Sequence, residues 1–559
     1  MSNIEKYSVS GFPGEEELLF TALGGLGDIG MNFYAYGHKG KWLIVDFGIG
    51  FAGDNIPGVD IILPDPTFLE ERKDDIAGLV ITHAHEDHLG ALPYLFDRIR
   101  CPIYATQFTA NVAIQKMKDG GHSPEGFMNI IDCGAKFNVG PFDLEFVDLT
   151  HSIPEPQGLI IRTNAGMVFH TGDWKFDDEP LIGNISDKAK LKAIGEEGVL
   201  ALVGDSTNVM SKGRSESEGE VRECMKKVIA SLSGQIAVTC FASNVARVET
   251  IALAAKANGR KVALAGRSLW RMVGCAKEAG YLKDCPELHE ADALKNLPDN
   301  EVLYICTGSQ GEWRAALARV ARGDHRDIKM GEGDTVIFSA RAIPGNEKSI
   351  GDIQNMLVVE GAHIITAKDA IVHASGHGAR DEICEMYELI KPKYAIPMHG
   401  EALHMARHGQ LAEEMGVEEA HILENGILVS IGQDGIEEVD EIYVSSFAMD
   451  GDKITATDSA AVRQRRKMAQ GGMVVATAVI DSKGHLITPP QITAEGIPLP
   501  AQAEREDMLM LAEKAVDSMS NKDRGSDDAV AEVVRRSIRK YLFAVTGKKP
   551  QVKVHLVRV

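Results

Sequence analysis

Short apolar runs separated by polar, glycine-rich turns organise most of this chain. Ile76-Ala77-Gly78-Leu79-Val80-Ile81 has the length and continuity of a buried strand, and Leu89-Gly90-Ala91-Leu92 reads as the opening of a helix. Upstream, residues 18–46 read as β-rich: Asn32-Phe33-Tyr34-Ala35-Tyr36 alternates, and Lys41-Trp42-Leu43-Ile44-Val45 is a buried strand ending at Asp46. Phe142 to Leu149 alternates apolar with acidic residues. Between 199 and 356 the pattern changes. Strands predicted at Val199–Asp205, Gln235–Phe241, Lys261–Ala265, Glu301–Thr307 and Asp334–Ala340 alternate with helical stretches at Glu216–Ala230, Ala246–Ala257 and Glu312–Arg322. That alternation predicts a parallel sheet wound on both faces. Residues 446–470 read as a connector. Residues 471–559 read as a small α+β unit, with a hairpin (Met473–Ile480 and Gly484–Ile487), amphipathic helices (Ala503–Met519, Asp528–Val545) and a last strand (Gln551–Val559).

At 559 residues the chain exceeds one ordinary core, so two to four domains are expected. Hydrophobic content of 44% with 25% charged residues is that of a soluble globular protein. Apolar runs such as Val199-Leu200-Ala201-Leu202-Val203 fall far short of the ~20 residues of a membrane span. Met1-Ser2-Asn3-Ile4-Glu5-Lys6 lacks a basic-then-apolar signal pattern, so a cytoplasmic protein without a membrane partner is expected. The eight cysteines form no C-x-x-C and read as reduced core residues. A net charge of −22 argues against a general nucleic-acid coat protein, yet leaves room for a nuclease with a local basic channel. The run Arg463-Gln464-Arg465-Arg466-Lys467 reads first as a solvated face and second as an RNA contact. Arg535, Arg536, Arg539 and Lys540 cluster on the last helix.

The chemistry concentrates at Thr82-His83-Ala84-His85-Glu86-Asp87-His88-Leu89-Gly90. Imidazole and carboxylate are the donors that zinc-like cations prefer. His83 and His85, two apart, face one side of an extended segment. Asp87 and His88 are adjacent to each other and are expected to serve a second ion, which suggests two metals side by side. Thr150-His151 and His170-Thr171-Gly172-Asp173 follow strand ends, as does Met398-His399. His151, Asp173 and His399 extend the donor series, and the two oxygens of Asp173 suit a bridge. Asp46 either orients a ligating histidine or caps the next loop. His373, Ser375 and His377 lie in a glycine-loosened loop suited to a phosphate. Gly25-Leu26-Gly27-Asp28-Ile29-Gly30 spells G-x-G-x-x-G, but the alternating segment after it predicts a strand where a dinucleotide fingerprint needs a helix.

These residues together resemble the metallo-β-lactamase superfamily. Within it, Gly24 to Gly30, His83 to Gly90, Thr307-Gly308-Ser309-Gln310-Gly311-Glu312, Ile343-Pro344-Gly345-Asn346-Glu347 and His373 to Gly378 resemble bacterial ribonucleases J of the β-CASP branch. The resemblance implies a four-layer αββα core (1–205 and 357–445) interrupted by a parallel-sheet β-CASP domain (206–356). A linker (446–470) and a small α+β C-terminal domain (471–559) would follow. It implies two divalent metal ions, zinc first and manganese second. His83, His85 and His151 would hold one, Asp87, His88 and His399 the other, and Asp173 would bridge. Asp87, Asp173 and His377 would be catalytic, with Asp46 behind the ligands. His373, Ser375, Gly376, His377, Ser243 and Asn244 would hold RNA or its 5′-phosphate. The family's partners imply an RNA substrate, a homodimer or homotetramer through the C-terminal domain, and other RNA-decay proteins. The chain departs from the family at Ala246 and around Arg341, both in the insert.

The expected function is RNA degradation 5′→3′ from 5′-monophosphate ends with some endonuclease activity, by a dinuclear-metal-bound hydroxide attacking phosphorus. Two rivals are a thioester or lactam hydrolase on the same core and a non-catalytic RNA-binding scaffold. The large insert weighs against the first and the full donor series against the second.

Overall fold

The computed structural model describes residues 13–14, 16–53, 55–498 and 502–559, with backbone alone for 502–505. The chain divides into two compact units, one formed by residues up to 50 together with 63–446, the other by 51–62 together with 447–559.

The apolar run at Ile76–Val80 lies inside an eight-stranded sheet, between Lys41–Val45 and Ile103–Ala105. Leu19–Gly24 and Phe33–His38 continue that sheet on the far side of Lys41–Val45. A second, seven-stranded sheet orders Phe142–Asp148, Gln157–Thr163, Gly166–His170, Ala201–Asp205 and Tyr394–Met398 as consecutive neighbours. The two sheets share one core, in which Phe20, Tyr34, Leu43 and Val80 of the first meet Phe146, Leu159, Val168 and Ile396 of the second. The other face of the second sheet buries Val147, Ile160 and Phe169 against Leu191, Ile383 and Leu411 of the helices Lys188–Glu197, Arg380–Ile390 and Ala402–Glu414. Helices Leu92–Ile99 and Gln107–Asp119 belong to the first sheet's side of this αββα sandwich.

The insert carries a six-stranded sheet in the order Leu288–Glu290, Lys261–Ala265, Val302–Cys306, Ile236–Thr239, Thr335–Phe338, His363–Ile365. Each adjacent pair is parallel, as the strand–helix alternation predicts. Two corrections concern its ends. Ala201–Asp205 pairs with Gly166–His170 and Tyr394–Met398 in the sandwich, so it is not the first strand of the wound repeat. The wound sheet also takes in His363–Ile365, beyond the expected limit at 356. A buried parallel strand looks the same in either sheet, since both faces are covered and no alternation distinguishes them.

In the second unit, Met473–Ile480 pairs antiparallel with Gln491–Glu495 and parallel with Gln551–Arg558. The expected hairpin with Gly484–Ile487 is limited to the strand's end, where the antiparallel bridge Ile480 to Leu486 forms and the Ile487 amide donates to the Val479 carbonyl at 2.9 Å; the extended antiparallel partner is Gln491–Glu495. Val530, Val534, Ile538 and Leu542 recur every four residues along Asp527–Thr546 and are fully buried against Val474, Ala476 and Ile480. The expected connector 446–470 is structured, with a hairpin (Ser446–Asp450, Lys453–Ala456) and the helix Ala460–Gly471, capped by Ser459. Residues 51–62 pack in this unit instead of the core to which the sequence pattern assigned them. No helix among the described residues is long and apolar enough to cross a membrane.

Candidate metal centre

Ends of strands from both sheets of the sandwich supply the donor series. Ile76–Val80 runs out at Ile81, the chain stays extended through His85, and Glu86–Leu89 makes a single helical turn. The turn packs so closely that a Cβ on Gly48 would lie 1.6 Å from the Asp87 carbonyl oxygen. Asp46 and His399, at the ends of their strands, adopt left-handed backbone with φ of 62° and 49°. For residues with side chains that conformation carries strain of about 1–3 kcal/mol, and such strain collects at functional sites.

Two donor sets form, each confined within 4.8 Å: His83, His85, His151 and Asp173; and Asp87, His88, Asp173 and His399. In the first, His83 Nε2 is 3.0 Å and His151 Nε2 is 3.1 Å from His85 Nδ1, and both Nε2 atoms are 3.7 Å from Asp173 Oδ2. In the second, His88 Nε2 is 3.2 Å from Asp173 Oδ2 and 3.6 Å from Asp87 Oδ2; His399 Nε2 is 3.0 Å from Asp87 Oδ2 and 3.8 Å from Asp173 Oδ2. Donors at the corners of a tetrahedron about 2.05 Å from a central zinc stand about 3.3 Å apart. The observed edges bracket that value in both sets, which share one oxygen, Asp173 Oδ2. The other oxygen, Oδ1, is buried with no hydrogen-bond partner among the described residues. Lone pairs crowded this way repel one another unless a cation lies between them, so the residues fit a pair of metal ions.

The outward nitrogens of His83, His88, His151 and His399 are already engaged. Asp46 accepts from His88 Nδ1 at 2.7 Å, from the Thr82 amide at 2.8 Å and from Thr82 Oγ1 at 2.9 Å. Thr82 Oγ1 in turn accepts from His83 Nδ1 at 3.0 Å. Thr207 Oγ1 accepts from His399 Nδ1 at 2.7 Å, and the Gly376 carbonyl accepts from His151 Nδ1. Each partner fixes a tautomer and aims the remaining nitrogen inward. Asp46 thus hydrogen-bonds a histidine of the cluster as well as both polar groups of Thr82.

Electrostatics divide the two sets. Burial and the neighbouring imidazoles push His83 and His151 well below the usual histidine range, and burial carries His85 down to about 4, so all three are neutral. Burial also lowers His88 and His399, but surrounding carboxylates outweigh it: Asp173, Asp87 and Asp46 carry His88 up to about 10, while Asp173, Asp205 and Asp87 raise His399. Asp173 itself is held well below the ordinary carboxylate range by His399, His88 and His377 against the opposing effect of burial. The second set therefore calls for positive charge, which a divalent cation supplies in place of two protons.

His377 lies at the rim. Its Nδ1 donates to Asp205 Oδ2 at 2.7 Å and its Nε2 is 3.9 Å from Asp173 Oδ2. Burial opposes protonation, but Asp205 and Asp173 outweigh it and raise its pKa. Asp173, Asp205, His377 and His399 form a third compact group, and this charged hydrogen bond accounts for it without an ion. Gly376 is a required glycine: a Cβ there would stand 2.5 Å from His151 Cε1. Ser375 Oγ accepts from Asn208 Nδ2 at 2.7 Å and from the His377 amide at 3.2 Å. His373 Nδ1 has no hydrogen-bond partner among the described residues, and burial, Arg247, Lys175 and Arg341 push this imidazole down to about 3.

In the insert the two proposed RNA contacts differ. Asn244 caps the helix Val245–Ala257 by accepting from the Arg247 amide at 2.9 Å, and its Nδ2 reaches Glu218 Oε1 at 3.3 Å. Both ends of that side chain are engaged, one in capping the helix and the other on Glu218. Ser243 is half-buried in the turn before it.

Sequence reasoning missed three neighbours. Asn32 Nδ2 lies 3.0 Å from His88 Nε2 and 3.1 Å from the Asp87 carbonyl. Thr82 and Thr207 are the hydroxyl links already described. The only sequence signal for Thr82 and Thr207 was their place in polar turns beside candidate ligands. His170, by contrast, is a core histidine: fully buried, pushed down to about 3 by burial, with Tyr36 Oη 3.0 Å from its Nδ1.

The chain matches four family descriptions: "Metallo-beta-lactamase superfamily" over residues 26–185, "Ribonuclease J, beta-CASP domain" over 233–357, "Zn-dependent metallo-hydrolase RNA specificity domain" over 362–423 and "Ribonuclease J C-terminal domain" over 460–559. It is 41% identical over 552 residues to the protein named Ribonuclease J of Sinorhizobium meliloti, covering 98% of both chains. It is 36% identical over 537 residues to Ribonuclease J 1 of Streptococcus pyogenes, covering 95% of each. A crystal structure of a protein of unknown function from Enterococcus faecalis superposes with a TM-score of 0.50 at 17% identity, covering 74% of this chain and 100% of that one, a likeness of fold alone.

Proposed function

This chain belongs to the ribonuclease J family, and from that premise we propose that it is a metal-dependent ribonuclease. It hydrolyses RNA 5′→3′ from 5′-monophosphate ends and also cuts internally. The observation that supports this most strongly is the pair of donor sets joined through Asp173 Oδ2, each with the edge lengths of a tetrahedral site. His83, His85 and His151 would hold one cation, Asp87, His88 and His399 the other, and Asp173 both. Zinc suits this mixture of imidazole and carboxylate; manganese is the alternative. Two such cations neutralise a bound phosphodiester and lower the pKa of water beside it.

The chain's own residues do the rest. Asp46, Thr82, Thr207 and the Gly376 carbonyl hold the imidazoles in place. Water attacks phosphorus in line, and the bond from phosphorus to the 3′-oxygen breaks. The His377 imidazolium, held by Asp205, gives its proton to that leaving oxygen. The products are a 5′-phosphate and a 3′-hydroxyl. His373, Ser375 and Gly376, with Ser243, form the cradle for the terminal phosphate, and the cations Arg247, Lys175 and Arg341 add positive field there. We place the protein in the cytoplasm and its self-association, dimeric or tetrameric, in the C-terminal unit. Time courses on end-labelled RNA carrying 5′-monophosphate, 5′-triphosphate or 5′-hydroxyl ends, with and without chelator, test the reading. Monophosphate RNA should disappear fastest, and chelator should stop all three. Equal rates on all ends would refute the end preference, and chelator-resistant cleavage would refute the metal.

A further inference from the structure

The proposed reaction leaves the basic residues of the second unit without a role. The structure brings the two basic segments of the sequence together there. A solvent-open cavity of about 610 Å³ is lined by Lys467, Gln470 and Gly471 from one helix, Arg539 and Phe543 from another, and Gly547, Lys548, Lys549 and Gln551 from the turn and strand that follow. No acid among the described residues lines it, in a chain of net charge −22.

Among the described residues, carboxylates pair with some of the basic residues on these two helices and leave the others, those at the cavity included, without one. Arg465 is paired with Asp450, and Arg535 and Arg536 are both paired with Glu532. Lys467, Arg539, Lys548 and Lys549 have no carboxylate partner among the described residues. Helix capping does not account for them. Each of the two helices ends on a glycine whose amide bonds back to its last turn, Gly472 to the Met468 carbonyl and Gly547 to the Phe543 carbonyl. The two C-termini contribute roughly half a negative charge each, which leaves about three of the four positive charges uncompensated. Phe543 is 47% exposed at the wall, with the Lys549 ammonium 4.7 Å from its ring centroid. Unpaired cations beside an exposed aromatic face are the elements of a single-strand binding surface: phosphates neutralise the first and a base stacks on the second.

We propose that this cavity is an accessory site for the phosphodiester backbone of single-stranded RNA, with Phe543 as the platform for one base. The proposal rests on the ribonuclease reading for the identity of the polyanion. It gives the C-terminal unit a part in holding long substrates, separate from the metal centre.

The test uses the full-length, metal-loaded enzyme and phosphorothioate-linked oligoribonucleotides, which resist cleavage, in fluorescence anisotropy across a salt series. One RNA is about 30 nucleotides long, several times the reach of one such site; the other is about six. The variants are the triple substitution Lys467→Ala/Arg539→Ala/Lys548→Ala and, separately, Phe543→Ala. The triple variant should bind the long RNA at least tenfold more weakly, and its log Kd against log salt should flatten by about two, near 0.7 for each phosphate no longer neutralised. Phe543→Ala should weaken the long RNA roughly five- to hundredfold. Binding of the short RNA, and kcat on a cleavable short RNA, should stay at wild-type values in both. Unchanged long-RNA affinity and slope in the triple variant would overturn the proposal. So would an unchanged affinity accompanied by a lower mass in analytical ultracentrifugation, which would make the cavity a subunit contact. Failure of the wild-type enzyme to cleave ordinary RNA is read in a separate reaction, and it would strike the ribonuclease reading instead.

Discussion

Replacing Arg247 by methionine should unfasten the loop that carries His373 from the insert. The guanidinium is fully buried and donates from three nitrogens: Nε and Nη2 to Glu218 at 3.1 and 2.7 Å, and Nη1 to Ser339 Oγ at 2.6 Å, the Ser339 carbonyl at 3.2 Å and the Val372 carbonyl at 3.0 Å. One side chain therefore ties the helix Glu218–Ala230, the end of the strand Thr335–Phe338 and the residue before His373. Methionine retains the bulk of the stem and leaves Glu218, 2% exposed, with Asn244 Nδ2 as its remaining side-chain donor. Breaking one side of a buried pair costs about 3–5 kcal/mol, because a desolvated charge stays behind. At 1.36 kcal/mol per factor of ten, that is roughly two to nearly four orders of magnitude in local opening. Native-state hydrogen exchange of the amides in Val245–Ala257 and residues 371–378 reads this directly, without requiring two-state unfolding of a multidomain chain. Adding Glu218→Leu should restore at least about 2 kcal/mol, since the stranded charge is then gone. The discrimination between 5′-monophosphate and 5′-hydroxyl RNA should fall in the single variant while internal cleavage persists. Less than a tenfold change in exchange, or a double variant as damaged as the sum of the singles, would refute the reasoning.

Other outcomes follow from the same geometry. Asp87→Ala removes a carboxylate that stands 3.0 Å from His399 Nε2, and RNA cleavage should drop at least ~10³-fold, the several kcal/mol of lost charge stabilisation at phosphorus, with the circular dichroism spectrum unchanged; full activity would sink the assignment. In Gly376→Ala the new methyl group displaces His151 and breaks its bond to the residue 376 carbonyl, so metal affinity by chelator competition should weaken about 10–100-fold. Burial pushes the Cys240 and Cys306 thiols up to about 12, so at pH 8 only about one in 10⁴ is thiolate, against about a quarter of an ordinary thiol. Both should resist a thiol reagent in the native protein and label at once on unfolding; prompt labelling of either at pH 8 would contradict their burial.

What the sequence disclosed of the site follows from how the donors are spaced. His83, His85, Asp87 and His88 stand within one strand-to-helix turn, so their convergence is readable from local geometry alone. His151, Asp173 and His399 were legible only as strand-end residues, because what brings them together is the pairing of Ala201–Asp205 with both Gly166–His170 and Tyr394–Met398. Asn32, Thr82 and Thr207 act by hydrogen bonds set by tertiary packing, and no periodicity marks them. Asn244, offered as an RNA contact by the family resemblance alone, caps a helix, a role that Ser, Asn and Asp fill after many strands. The hairpin expected at Gly484–Ile487 reaches only the end of its strand, and the longer partner lies further on at Gln491–Glu495. Turn chemistry fixes where a chain can reverse, while pairing is decided by which apolar face finds the helices.

The central claim is that two cations share Asp173 and that cleavage depends on them. Elemental analysis of purified enzyme, run beside its RNA-cleavage rate, addresses this most directly. The account predicts about two divalent transition-metal ions per active chain, with activity lost in step as chelator removes them and regained on their return. Enzyme that cleaves RNA at its full rate with no bound transition metal would contradict it.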